Sequence, residues 1–113
     1  MNIQIFGLKK CFDTKKAQRY FKERRIKYQF VDLAEKGLSK GELQSVKAAV
    51  GLNNIIDSEA KDYKRLNMDR IIGADVKEEI LLSNPSLYKT PIVRNGKQAV
   101  VGYQPDIWKS WED

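Results

Sequence analysis

The chain has 113 residues, of which 42% are hydrophobic and 32% charged, and it carries a net charge of +6. This length is typical of one domain with one core, and the composition excludes a disordered or fibrous protein. Histidine is absent and Cys11 is the only cysteine. These two facts exclude catalysis by a serine or cysteine paired with histidine, a histidine-bearing zinc site and an internal disulfide.

The sequence shows no signal for membrane insertion or export. No apolar run reaches the roughly 18–20 residues of a membrane span, and residues 1–5 do not resemble a signal peptide. We therefore expect a cytoplasmic protein that is not bound to a membrane. We also expect a single domain, 1–113, and a monomer.

The first third of the chain predicts a strand, a helix and a second strand. Residues 2–6 alternate in polarity and end at Gly7, which indicates a short strand. Residues 14–25 place Ala17, Tyr20 and Phe21 at helical spacing among basic residues. Residues 28–31 indicate the second strand. This order favours a parallel pair joined by a right-handed crossover.

The middle of the chain, about residues 39–84, is predicted to be a helical insertion. Ser39 and Glu42 match a capping box that starts a helix ending at Gly51. A second helix is expected over residues 59–66, and a third from Asp75 to about Asn84. The apolar residues expected to face the core from these helices are Leu43, Val46, Val50, Tyr63, Leu66, Val76, Ile80 and Leu81.

The last third predicts a hairpin and a helix. Residues 91–94 and 98–101 flank Asn95-Gly96, which we expect to occupy both turn positions with positive φ. Pro105 opens a final helix with Ile107, Trp108 and Trp111 on one side. The order β-α-β-α-α-α-β-β-α is that of an α/β thioredoxin-like fold, a mixed four-stranded sheet with a helical insertion and the first strand in its centre.

Cys11 lies between the first strand and the first helix, where a thiol is easily ionised. Free amides at a helix N-terminus stabilise a thiolate, and Lys9, Lys10, Lys15 and Lys16 surround it in sequence. Residues 1–28 hold nine Lys or Arg against two acidic residues, so the excess positive charge lies beside this cysteine. The alternative is that Cys11 is a small buried hydrophobic residue.

Several short motifs in a fixed order resemble one family. Ile3-Gln4-Ile5-Phe6-Gly7 and the segment 9–17 around Cys11 are similar to the start of ArsC/Spx proteins, which are arsenate-reductase-like and have a thioredoxin-type fold. The later motifs keep the family's order: Tyr63-Lys64-Arg65-Leu66, Asn84-Pro85, Lys89-Thr90-Pro91-Ile92-Val93 and Val101-Gly102-Tyr103.

The resemblance implies roles for individual residues. Cys11 takes the position of the family's nucleophile, and Pro91 takes that of a cis-proline beside it, preceded by Thr90. Spx-like members carry a second cysteine three residues on, where this chain has Thr14. Thr14 is expected either to donate a hydrogen bond to the Cys11 thiolate or to cap the helix.

The chain departs from the family's arsenate reductases at all three oxyanion-binding arginines. Thr90 occupies one position, Asp57 or Glu59 another, and residues 101–104 supply no basic side chain for the third. Arginine binds a tetrahedral oxyanion through a planar pair of donors that threonine and aspartate lack. We therefore do not expect efficient arsenate reduction.

Two functions remain open. In the first, the chain is a monothiol oxidoreductase: Cys11 attacks an oxidised substrate, and glutathione or glutaredoxin resolves the product. Lys9, Lys10, Lys15, Lys16 and Lys89 would then bind the carboxylates of glutathione or lower the pKa of the thiol. No bound cofactor or metal is expected, only glutathione as a co-substrate.

In the second possible function, the chain is a transcriptional regulator resembling Spx, which binds the C-terminal domain of the RNA polymerase α subunit. Gly51 lies near a glycine that such regulators use, although a helix C-cap explains it equally well. Direct nucleic-acid binding is a weaker option, because the basic helix carries no recognisable binding motif.

Overall fold

The computed structural model describes residues 1–112 and contains four strands and five α-helices in that range. The first half contains β1 (Ile3–Gly7), α1 (Phe12–Glu23), β2 (Tyr28–Asp32) and α2 (Lys40–Val50). The second half contains α3 (Lys61–Arg65), α4 (Ala74–Ser83), β3 (Ile92–Asn95), β4 (Gln98–Val101) and α5 (Pro105–Trp111). Among the described residues, no helix is long and apolar enough to cross a membrane.

The strands form one mixed sheet in the order β2-β1-β3-β4. β1 is parallel to β2, with Ile5 opposite Phe30, and antiparallel to β3, with Phe6 opposite Ile92. β3 and β4 form an antiparallel hairpin. The predicted thioredoxin-like sheet, with its first strand in the centre and a helical insertion, is confirmed.

Each face of the sheet packs against its own hydrophobic cluster. Strand side chains alternate between faces, and β1 accordingly directs Ile3 and Ile5 to one cluster and Phe6 to the other. The first cluster joins β1 and β3 to Ala17 and Phe21 of α1 and Trp108 of α5. The second lies under the helical insertion and includes Leu43, Val46, Ile55, Met68, Leu81, Leu87 and Ile92.

The helical insertion is capped as predicted. Ser39 Oγ accepts a hydrogen bond from the Glu42 N–H at 3.1 Å, and Glu42 Oε1 accepts one from the Ser39 N–H at 2.8 Å. Gly51 ends α2 with φ +86°, a conformation that favours glycine. α3 is shorter than expected, and Tyr63 and Leu66 pack against the second cluster while half-buried.

Three local predictions are wrong. The hairpin turn is Gly96-Lys97, because Asn95 pairs with Gln98 at the end of the ladder and only Gly96 has positive φ. Val76 is 52% exposed, since it lies on the first turn of α4, before the turns that pack on the core. Ile107 is also exposed, because Trp108 is the residue of α5 that fills the core.

Candidate active site

Cys11 is the N-cap residue of α1, so the helix begins two residues earlier than the apolar spacing predicts. Its backbone is extended (φ −77°, ψ 124°), and its carbonyl accepts the first helical hydrogen bond from the Lys15 N–H at 3.1 Å. The side chain is half-buried and has no disulfide partner. The sulfur therefore lies at the positive end of the helix dipole with access to solvent.

Thr90 holds the Cys11 sulfur from the opposite side of the site. Thr90 Oγ1 donates a hydrogen bond to Cys11 Sγ at 3.2 Å, and the Thr90 carbonyl oxygen lies 3.9 Å from the same sulfur. The Thr90–Pro91 peptide bond is cis, and Pro91 is buried. Since β3 runs antiparallel to β1, the start of β3 meets the end of β1 beside this cysteine.

Thr14 lies beneath the cysteine in the first turn of α1. Thr14 is fully buried and packs against Gly7, where an added Cβ would lie 2.5 Å from Thr14 Oγ1. Gly7 thus allows the helix to approach the end of β1 closely. The expectation that Thr14 caps the helix is wrong, because Cys11 occupies the N-cap position.

The surroundings of Cys11 lower the pKa of its thiol. Partial burial raises the pKa, but hydrogen bonds from the Thr14 and Thr90 side chains and from the Thr14 and Asp13 backbone lower it by more. The buried Thr14 hydroxyl has no other hydrogen-bond partner among residues 1–112, which leaves it available to the sulfur. Hydroxyl and amide donors, rather than lysines, are the main cause of the lowered pKa.

The predicted lysines lie around the site but extend into solvent. Lys10, Lys15 and Lys89 are exposed. Lys9 is 76% exposed and lies 3.8 Å from the Asp32 carboxylate. Lys16 Nζ lies 5.8 Å from the ring centre of Phe12 and 5.3 Å from that of Tyr103. Their contribution is therefore a positive field around the thiol and not direct contact with it.

A groove of about 590 Å³ opens next to Thr90. It is lined by Val50, Asn54, Asp57, Lys89, Thr90, Val100, Val101, Gly102 and Gln104. Its outer wall forms because residues 55–57 pair with residues 87–89. The Lys89 N–H donates to the Ile55 carbonyl and the Asp57 N–H donates to the Leu87 carbonyl, each at 2.7 Å.

The groove has no arginine among its described lining residues. Asp57 lies in it at one of the positions considered for an oxyanion-binding arginine, and Gln104 lies in it near another. Arg94 is held elsewhere, because its Nη1 donates to Gln4 Oε1 at 2.8 Å and it pairs with Gln4 in the sheet. Position 4 lies toward the end of β1 away from Cys11, so Arg94 does not belong to the site.

Sequence reasoning identified Cys11, Thr14, Thr90 and Pro91, which the structure brings together, but not the groove. From the sequence, Asp57 and Gln104 are recognisable only as positions without an arginine. Asn54 was missed completely. Asn54 Nδ2 donates to the Val50 carbonyl at 2.7 Å just after α2, and the only sequence signal was its place after the Gly51 stop.

Comparison with known proteins shows the family of the chain. The model of the ArsC family matches residues 6–111. The chain belongs to the ArsC family. The global transcriptional regulator Spx 2 of Oceanobacillus iheyensis is 30% identical over 109 residues, a match that covers 94% of this chain and 80% of that protein.

One further relative and one solved structure are similar to the chain along most of its length. The global transcriptional regulator Spx of Staphylococcus aureus is 27% identical over 108 residues, covering 92% of this chain and 82% of that protein. The structure of an arsenate reductase from Vibrio cholerae superimposes with a TM-score of 0.85 at 24% identity, covering 97% of each chain. At that identity the structural likeness establishes the fold alone.

Proposed function

We propose that this ArsC-family protein is a monothiol oxidoreductase that uses Cys11 as its nucleophile and an external thiol, glutathione or glutaredoxin, as the resolving partner. The observation that carries the proposal is the hydrogen bond from Thr90 Oγ1 to Cys11 Sγ at 3.2 Å, at the N-terminus of α1. A donor aimed at sulfur stabilises the thiolate, which is the form that attacks a disulfide.

The reaction takes place in two balanced exchanges. The Cys11 thiolate attacks one sulfur of a substrate disulfide, forms a mixed disulfide with it and releases the other sulfur as a thiolate. A second thiolate, from glutathione or glutaredoxin, then attacks the mixed disulfide and restores the Cys11 thiolate. The oxidised product leaves as a disulfide of the external thiol. Thr14 replaces a second cysteine, so the chain has no internal thiol to complete the exchange.

Efficient arsenate reduction is not part of the proposal. The groove beside Cys11 holds the carboxylate of Asp57, which repels an oxyanion, and Lys89 is the one cation lining it among the described residues. Lysine binds as a point charge and lacks the planar donor pair that orients a tetrahedral oxyanion. We expect negligible arsenate turnover with glutathione and glutaredoxin present.

Reduction of a mixed glutathione disulfide tests the proposal. The wild-type protein should catalyse glutathione-dependent reduction of a glutathionylated peptide, and Cys11→Ser should lose this activity while its circular dichroism spectrum stays the same. The same preparations should show no arsenate turnover above the protein-free rate. Activity that survives Cys11→Ser, or arsenate turnover that depends on Cys11, would contradict the proposal.

A second candidate function is regulation of transcription by binding the C-terminal domain of the RNA polymerase α subunit. It is favoured by the similarity to two Spx regulators along nearly the whole chain. Gly51 is exposed at the end of α2, on the helical insertion. A pull-down with the isolated α-subunit domain separates the candidates, because retention that survives Cys11→Ser supports regulation and no retention removes it.

A further inference from the structure

Three of the polar side chains that line the groove next to Thr90, those of Asn54, Asp57 and Gln104, offer hydrogen-bond acceptors, although the protein as a whole is basic. Asp57 contributes a half-buried carboxylate, whose Oδ1 accepts a hydrogen bond from the Glu59 N–H at 3.0 Å and is thereby fixed in orientation. The amide nitrogens of Asn54 and Gln104 donate to the carbonyls of Val50 and Val101. Their side-chain oxygens are then left as acceptors.

One cation lines the same groove without neutralising this carboxylate. Lys89 and Asp57 form no ion pair with each other in the described part of the chain, although both line the groove. The groove therefore presents a carboxylate and an ammonium group separately to a ligand. Val50, Val100 and Val101 add apolar side chains to its lining.

We infer that this groove binds a small thiol, or its disulfide, whose head carries an α-ammonium and an α-carboxylate. The γ-glutamyl head of glutathione has this chemistry. Asp57 accepts hydrogen bonds from the ammonium group, Lys89 donates to the carboxylate, and the sulfur of the ligand reaches Cys11 past Thr90. The volume of about 590 Å³ lies within the range of roughly 300–1,000 Å³ found for small-molecule sites.

This inference rests on the proposed exchange at Cys11 and makes Asp57 a specificity-determining residue. The exchange itself remains the one already balanced: the Cys11 thiolate forms a bond to one sulfur of the ligand disulfide, and the other sulfur leaves as a thiolate. Asp57 and Lys89 take no part in electron or proton transfer. They select which disulfide is held against the cysteine.

Four small disulfides separate the two charges in the test. Glutathione disulfide carries both charges in its head, cystamine carries ammonium groups only, 3,3′-dithiodipropionate carries carboxylates only, and bis(2-hydroxyethyl) disulfide is neutral. The second-order rate of mixed-disulfide formation at Cys11 is measured with each by mass spectrometry. Each rate is divided by the rate of the same variant with the neutral disulfide, which removes any change in the reactivity of Cys11.

Asp57→Asn should lower this ratio about three- to tenfold for glutathione disulfide and for cystamine, and should not lower it for dithiodipropionate. Lys89→Gln should lower it for glutathione disulfide and dithiodipropionate only. The matched controls Asp69→Asn and Lys97→Gln make the same charge changes at exposed positions outside the groove and should leave every ratio unchanged.

The inference is overturned if Asp57→Asn changes the glutathione ratio no more than Asp69→Asn does. Failure of the proposed function has a different signature. In that case wild-type Cys11 reacts with the neutral disulfide no faster than free cysteine at the same pH, whatever stands at position 57.

Discussion

The face of the sheet under α1 and α5 and the face under the helical insertion contribute differently to the site. The first is packed by rings and holds the cysteine: Phe21 and Trp108 are fully buried, with centroids 5.3 Å apart, and α1 carries Cys11 at its N-terminus. The second is mainly aliphatic, and the segment on that side supplies Val50, Asn54 and Asp57 to the groove. The nucleophile thus depends on the first cluster and this part of the groove wall on the second, so each can be perturbed separately.

The largest effect on stability is expected from the first cluster, where the aromatic rings pack together. Trp108→Ala removes a fully buried indole and should lower the free energy of unfolding by about 3–5 kcal/mol. Trp108→Phe should lower the free energy of unfolding by less. The indole N–H has no hydrogen-bond partner among the described residues, so its removal leaves no partner unpaired. Urea denaturation measures both values. Equal losses for Ala and Phe would contradict the assignment of ring packing as the source of stability.

The contact between strand and helix under the cysteine gives the next largest effect. Gly7→Ala would place a Cβ 2.5 Å from Thr14 Oγ1 and 2.6 Å from Thr14 Cγ2, so α1 must shift. We expect a loss of about 1–3 kcal/mol in unfolding free energy and slower alkylation of Cys11.

Gly41→Ala is the matched control for Gly7→Ala. Position 41 lies in α2, where an added Cβ meets nothing within 4 Å. Alanine there should raise stability by about 0.5–1 kcal/mol and leave alkylation of Cys11 unchanged. If Gly7→Ala and Gly41→Ala changed the free energy of unfolding in the same direction, the close approach of Thr14 to Gly7 would not explain the effect of Gly7→Ala.

The cap of the helical insertion gives the smallest expected loss of stability. Ser39→Ala removes the acceptor for the Glu42 N–H and should cost about 1 kcal/mol in unfolding free energy. Because this cap lies on the insertion, the rate of Cys11 alkylation should not change. A slower alkylation in Ser39→Ala would show that the two faces are coupled.

The sequence predicted the parts of the molecule that depend on local patterns. Alternation in β1, the capping box at Ser39 and the glycine stop at Gly51 are encoded by neighbouring residues, and the structure contains each of them. The start of α1 was misplaced because Cys11 ends the extended segment without a side-chain hydrogen bond of its own at the cap. No local signal marks such an N-cap.

The groove was beyond sequence reasoning because it depends on a pairing between distant segments. Ile56 pairs with Tyr88 in an isolated bridge, 32 residues apart in the chain, and this contact brings Asp57 and Lys89 to one groove. Neither segment has the length or alternation of a strand. The sequence indicated that arginines were absent around Cys11, and only the fold shows that a carboxylate lies there.

The central claim is that hydrogen bonds to the sulfur keep Cys11 reactive as a thiolate, and the pH dependence of its alkylation tests this most directly. The pKa of Cys11 is lowered, so the thiolate persists as pH falls, and the rate with iodoacetamide should have its midpoint below the value of about 8.5 for a free cysteine. Thr90→Val removes the hydroxyl that donates to Sγ and should move the midpoint to higher pH, whereas Thr90→Ser should keep it. A midpoint at or above that of free cysteine, or one that Thr90→Val leaves unchanged, would contradict the account.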